Sequence, residues 1–330
     1  GFDKDAAWKE AQKRSNKPRE QKEVFESLIK RHVLAHRSGT QILGSTQPFG
    51  YSQNGNKTII NLTPSNAYCQ NLDFGDLNYG NWIGGIYNNS AAQLWTTFTP
   101  AWTPGIFTYG NNTPQQPAVS WSAGTPKQNR HTIMTIPPTL NNPPANCIGW
   151  DSIAVNPTHV SDIPFVPSWA SGVTCRLGNA NNDYETERLE YTMNVGPNNS
   201  QLTFYYAVVL YDGTHALGEQ PFFKVTMKDQ NGNIIPGCGQ YQIDASLVST
   251  DTSFKRASMY SGGTWTDGYL AGGALNTAWW YYVYYKKWTT VGVDLSPYMG
   301  QNVSIEFQTG DCIYGGHWGY AYIDANCGPT

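Results

Sequence analysis

The chain has 330 residues, 14% charged and 14% aromatic, with 12 Trp, 21 Tyr, 12 Phe, 33 Gly and 20 Pro. Charge so far below the roughly 25% of an average globular domain, beside so many rings, excludes a coiled coil, a helix bundle and intrinsic disorder. Ten of the 21 Lys/Arg and six of the 24 Asp/Glu lie in residues 1–38, so the remaining 292 residues carry a balance of −7. A nucleic-acid binder would place its basic footprint on the folded domain, and here that part is acidic. No apolar run approaches 18 residues, so no membrane insertion is expected. The length suits one large β domain or two ordinary ones.

Residues 1–38 form the one convincingly helical stretch. Ala6, Ala7, Trp8 and Ala11 give a short apolar stripe, Pro18 breaks it, and Val24, Phe25, Leu28, Ile29 and Val33 resume it. The pattern predicts a basic arm of two helices, packed on its own domain or docked on a partner surface. The start carries no signal-peptide pattern and reads as a mature or recombinant one. Residues 39–66, rich in Ser, Gly and Asn, read as a linker. From Ala67 onward strand and turn alternate. Predicted strands are Glu187–Val195, Leu202–Tyr211, Phe222–Lys228, Tyr241–Leu247, Trp279–Tyr285, Thr289–Asp294, Val303–Thr309 and Gly319–Ile323. Asp229–Asn233, with its Asn-Gly step, reads as a hairpin turn. Many short strands without interleaved helices imply an antiparallel β-sandwich over 67–330. A loop-rich excursion at about 96–144 is crowded with Pro, Asn and Gln.

The six cysteines form no CxxC pair, which leaves zinc-ribbon and thioredoxin-type readings without support. Their even number fits a disulfide framework in an oxidising compartment, the alternative being buried thiols. Cys69 and Cys327 bracket the sandwich, whose first and last strands ordinarily lie close, so they are expected to pair. Cys238–Cys312 and Cys147–Cys175 are the remaining pairs.

Catalytic patterns are sparse. Glu185, Glu187 and Glu190 invite comparison with glycosidase acids, but a regular strand sends Glu190 to the opposite face from the other two. No Gly-x-Ser-x-Gly, His-Glu-x-x-His or phosphate loop occurs. His131, His159, His215 and His317 are scattered, with no metal-ligand spacing. Asp212 and His215 lie in a polar loop that ends an apolar strand, either a ligand-binding loop or a capping turn. Asp73, Asp76 and Asp324 would suit a structural Ca2+ if the first and last strands are neighbours. In the decapeptide from Trp279 to Trp288, alternation puts Trp280, Tyr282 and Tyr284 on one face and Trp279, Tyr281 and Val283 on the other. One set fills the core. The other is covered or forms a stacking strip for sugar rings, with Trp95, Trp102 or Trp121 of the excursion beside it.

Together several stretches resemble a known family. They are Cys69-Gln-Asn-Leu-Asp-Phe74 leading to Asn81-Trp82, Arg176-Leu-Gly-Asn179, Leu189-Glu-Tyr-Thr192 and Phe204–Leu210 with His215 and Glu219-Gln-Pro221. Trp288–Leu295, Asp311-Cys312, Gly315-Gly-His317 and Gly319–Asp324 complete the set. This combination resembles the N-terminal jelly-roll region of large surface adhesins exported by type IX secretion in Bacteroidota, including gliding-motility adhesins. The match covers about 67–95 and 131–330; the excursion and Gly75, in place of an acidic residue, depart from it. The resemblance implies a jelly roll on the cell surface, joined to further domains of a large polypeptide. It implies a non-catalytic role, attaching the cell to polysaccharide or another surface polymer. A carbohydrate-active enzyme of jelly-roll fold and a spacer that binds nothing are the other two classes.

Overall fold

In a computed structural model the chain is all-β among the described residues. These are residue 9 and residues 69–76, 81–89, 94, 103–104, 107–109, 130–143, 146–170, 172–180, 184–236, 239–248, 251–261, 264–266 and 283–329. The expected helical arm and linker lie outside them, apart from Lys9, which is helical and exposed. In chain order the strands begin with β1 (Trp82–Asn88), β2 (Thr103–Pro104), β3 (Phe107–Tyr109), β4 (His131–Met134), β5 (Leu140–Asn142) and β6 (Asn146–Ile148). There follow β7 (Thr174–Gly178), β8 (Glu185–Asn194), β9 (Gln201–Tyr211), β10 (Phe222–Lys228), β11 (Gln240–Asp244) and β12 (Phe254–Arg256). The last are β13 (Met259–Ser261), β14 (Thr264–Thr266), β15 (Val283–Asp294), β16 (Asn302–Gly310) and β17 (Gly319–Gly328). One sheet has the order β11-β10-β16-β8-β1-β2 and the other β12-β15-β9-β17-β7-β4-β3. Pairing within them is antiparallel except between β3 and β4.

Side-chain alternation decides what each sheet face buries. On β9, Leu202, Phe204, Tyr206, Val208 and Leu210 point between the sheets, where Leu189, Tyr191 and Met193 of β8 and Val303, Ile305 and Phe307 of β16 meet them. Each such side chain taken from water contributes about 1.5–3 kcal/mol. The alternate residues Ala207, Val209 and Tyr211 point outward with Tyr320 and Tyr322 of β17. That face is not left to solvent: Ile153, Ala154, Ile163, Phe165 and Val166 lie over it. At its centre the Asp151 carboxylate accepts hydrogen bonds from the Tyr320 and Tyr322 hydroxyls and from the Ile153 and Ala154 amides, at 2.7–2.9 Å. The seven-stranded sheet is thus the middle layer of three.

The chain moves between sheets from β8 to β9, β9 to β10, β15 to β16 and β16 to β17. Because β9 pairs with β17 and β10 with β16, the crossovers 212–221 and 311–318 run side by side at one end. Residues 69–76 plug the other end. Leu72 and Phe74 enter the core, the Trp82 indole donates to the Asn71 carbonyl at 2.9 Å, and Cys69 is bonded to Cys327. The disulfide expected from the sequence is therefore formed.

Several expectations need correction. Residues 69–76, in the region expected to alternate strand and turn from Ala67, are turns and bends throughout, and β1 starts at Trp82. Within the expected excursion, His131–Met134 is a fully buried strand of the larger sheet. The two strands expected over Trp279–Asp294 meet in the single β15, whose register slips between Lys286 and Thr289. This bulge reverses which residues face inward: Lys286 before it, and Val291 and Val293 after it, all meet the inner core. Cys147, Cys175 and Cys312 carry thiols, so neither of the other two expected disulfides exists. Cys175 belongs to the inner core. Cys147 lies in the outer cover, where its thiol donates to the Asp151 carbonyl at 3.7 Å and burial pushes its pKa up to about 12. Cys238 lies outside the described residues.

Candidate functional site

At the crossover end, three sequence-distant side chains converge. The first crossover folds on itself because the buried Asp212 carboxylate accepts the Thr214 amide at 2.8 Å and the Gln220 side-chain amide at 2.6 Å. Gln220 also donates to the His215 carbonyl at 3.1 Å and accepts the Gly213 amide at 2.9 Å. Asp212 therefore shapes the loop, as in the capping reading of its sequence. His215 is carried outward from this loop to meet the second crossover. There the Cys312 amide donates to the His317 carbonyl at 2.9 Å, which turns both side chains to the same side.

His215 Nε2 lies 3.2 Å from His317 Nδ1, which lies 3.3 Å from Cys312 Sγ. The ligand atoms of all three are within 4.8 Å of one another. Tyr211 packs edge-on against His317 at 4.5 Å, and Tyr314 lies over His215 at 4.7 Å. Burial lowers the pKa of both imidazoles, His317 to about 4 with the neighbouring His215 adding to it, and raises that of the Cys312 thiol. Sequence reasoning took the histidines as scattered and assigned Cys312 to a disulfide. The antiparallel pairing of β9 with β17 is what brings residue 215 to residues 312 and 317, and local spacing carries no trace of it.

Below this cluster, Glu185 and Glu187 pair with the Arg130 guanidinium, all of them buried, and Thr309 Oγ1 donates to Glu187 at 3.1 Å. Glu190 instead faces outward beside Arg188 at 3.5 Å. Glu185 and Glu187 are thus held in a buried ion cluster, and the strand separates Glu190 from them.

The calcium candidates are not gathered into one ligand set among the described residues. Asp73 accepts the Gly75 amide at 3.0 Å, the Asp76 amide donates to Asn71, and Asp324 is buried on β17. Burial and then the Asp73 charge push the Asp324 carboxyl well above its ordinary range, so Asp73 and Asp324 lie near enough to act on each other.

Of the aromatic candidates, Trp279, Trp280, Tyr282, Trp95, Trp102 and Trp121 lie outside the described residues. Tyr284, half-buried, packs at the edge of the inner core with the Arg256 guanidinium 5.6 Å from its ring. Trp288 points the other way. Its indole donates to the Pro164 carbonyl at 2.8 Å, and its ring meets Trp169 edge-on at 5.3 Å. Trp169, 42% exposed, stacks on Tyr205 of β9 at 4.1 Å and 25°. Trp169 was not singled out in the sequence because it stands alone between Pro167-Ser168 and Ala170; its partners come from β9 and β15.

No protein-family model matches the chain, and no curated protein matches it. Among solved structures it is similar to the enzymatically active domain of bacteriophage CBA120 tailspike protein 4, at 8% identity and a TM-score of 0.29 over 79% of this chain and 21% of that one. It is also similar to a family 28 carbohydrate-binding module specific for non-crystalline cellulose, at 11% identity and TM-score 0.24 over 67% and 97% of the two chains. A third likeness is to a family 61 module in complex with β-1,4-galactotriose, at 8% and 0.21 over 48% and 72%. The chain spans about a fifth of the tailspike chain. Scores this low place neither a site nor a ligand on this protein.

Proposed function

We propose that the chain is a non-catalytic module of a secreted cell-surface adhesin that holds polysaccharide or another surface polymer by stacking. The observation that carries this reading is the Trp169–Tyr205–Trp288 group, an apolar ring surface left partly open in a chain poor in charge. Sugar rings present flat C–H faces, and an aromatic ring held rigid by a second ring and by a hydrogen bond loses little entropy in meeting them. The disulfide fits an oxidising, extracellular location. Alternate crossing between sheets supports a jelly-roll assignment, and the sequence resemblance alone points to export by type IX secretion and a part in attachment or gliding. Further domains of the same polypeptide would then multiply a weak contact.

A glycan array with the intact chain is the direct test. Binding to polymeric glycans with no release of reducing sugar is expected. Release of sugar from the hits would move the protein to the enzymes, and an array without hits would leave it a spacer.

A further inference from the structure

We infer that His215, Cys312 and His317 form a binding site for one transition-metal ion of the zinc class, clamping the two crossovers at one end of the sandwich. The spacing carries this. Around tetrahedral Zn2+, with Zn–N about 2.0–2.1 Å and Zn–S about 2.3 Å, neighbouring ligands stand about 3.3 Å apart for N···N and about 3.6 Å for N···S. The observed separations are 3.2 Å for the two imidazole nitrogens and 3.3 Å for nitrogen and sulfur. Two of the three separations thus match those of ligands on one ion, and the third, between His215 and Cys312 on loops joined to different strands, is within 4.8 Å, so seating the ion draws these two donors together by up to about 1.2 Å.

The donor set suits the same class. Two imidazoles and a thiolate favour Zn2+ over hard ions such as Ca2+ and Mg2+, which take oxygen. On binding, the Cys312 thiol releases its proton to solvent, so the sulfur becomes the anionic ligand. The Gly316 amide, 3.3 Å from Cys312 Sγ, is placed to support that charge. The Glu219 carboxylate, whose charge already acts on His215, brings the site toward neutrality. Its own position is fixed by the Ala216 amide at 2.9 Å. Room for His317 is made by Gly213, where any Cβ would overlap the imidazole ring. A hydrogen-bonded trio without an ion would use at most one lone pair at each junction. An ion uses all three donors at once. With three protein ligands the fourth position is left to water or to an incoming oxygen donor.

The test is titration of the intact 330-residue chain, in non-reducing buffer, with Co2+ as a spectroscopic probe and Zn2+ as competitor. One equivalent of Co2+ should bind with visible bands of a tetrahedral centre and a thiolate-to-cobalt charge-transfer band, and Zn2+ should displace it. Bound Zn2+ should also protect Cys312 from alkylation, read by peptide mapping. Cys312→Ser should abolish the charge-transfer band. His215→Asn, at a half-buried loop position, should weaken affinity at least about 100-fold, the upper end of what losing a mere supporting residue costs. Circular dichroism should show both variants folded; if Cys312→Ser does not fold, His215→Asn and the alkylation pattern decide. No stoichiometric Co2+ or Zn2+ binding by the wild-type chain overturns the site, as does a charge-transfer band that survives in Cys312→Ser. Binding of copper with exclusion of Zn2+ and Co2+ overturns the zinc-class assignment.

Discussion

The two ends of the sandwich are closed by opposite means. At one, a covalent bond and apolar side chains seal the core: Cys69 is tied to Cys327 across 258 residues, with Leu72, Phe74 and Trp82 beneath. At the other the closure is polar, built from the Arg130–Glu185–Glu187 cluster, the Asp212–Gln220 loop and the His–Cys–His group. The first device stabilises by constraining the unfolded chain and needs little from its surroundings. The second needs every partner present, because a buried charge or donor left alone costs more than the pair contributes. An end of that kind is better suited to function, and the metal site inferred here lies within it.

The contrast can be broken first at the covalent end. Replacing both cysteines, Cys69→Ser with Cys327→Ser, should cost up to about 5.5 kcal/mol in the chain-entropy treatment of a loop this long. Urea unfolding of the two proteins measures it. A loss below about 1 kcal/mol would mean that the plug, and not the bond, closes that end.

At the polar end, Arg130→Met should cost about 3–5 kcal/mol, because the Glu185 and Glu187 carboxylates would remain buried without their partner. Removing all three charges together, with Met at 130 and Leu at 185 and 187, should recover much of that loss. A triple variant no better than Arg130→Met would show that the cluster acts through shape and not through charge.

The two ends were unequally legible in the sequence. Strands such as β9 and β16 announced themselves because one face meets the inner core and side chains alternate with period two. Cys69–Cys327 was legible because the first and last strands of a sandwich tend to be neighbours. β4 and β7 were missed, since they are four and five residues long and buried on both faces, so no alternation survives. The histidine–cysteine cluster was missed for a different reason: its members are brought together only by strand pairing in the finished sheet. The bulge in β15 hid which rings of the aromatic run face outward, and Trp169 reaches its partners only through the fold.

A pH measurement sharpens the contrast further. His131, buried beside Arg130 with its Nε2 2.9 Å from the Arg188 carbonyl, has its pKa lowered by burial from 6.5 to about 4. Above pH 6.5 the ring is neutral in both folded and unfolded chains and costs nothing. As pH falls from 6.5 toward 4 only the unfolded chain takes up the proton, so stability drops, by about 3 kcal/mol in all at 1.36 kcal/mol per pKa unit. Asp151 and Asp324, raised by burial, act with the opposite sign, losing stability as pH rises above 3.8. The difference between wild type and His131→Gln isolates the imidazole. Urea midpoints that run parallel for the two proteins between pH 7.5 and 4.5, values chosen to bracket that span on the order of 3 units, would show that His131 does not titrate in this way.

The smallest effect lies away from both ends, on the broad face of the seven-stranded sheet. Trp169 is 42% exposed, has its ring stacked on Tyr205 and belongs to neither core cluster, so its removal opens no cavity in the core. Trp169→Ala should leave the melting temperature nearly unchanged. Its loss should weaken binding to a polymeric glycan by about 5-fold per module, since one stacked ring is worth about 1 kcal/mol. Trp288→Ala is the informative companion. It removes a second ring of the platform and also the indole bond to Pro164 that pins the cover, so both affinity and stability should fall. If Trp169→Ala lowers the melting temperature as much as Trp288→Ala and leaves glycan binding unaltered, the ring group belongs to the cover. The polymer contact would then have to lie at the polar end, on the loops that carry Asp212 and His215.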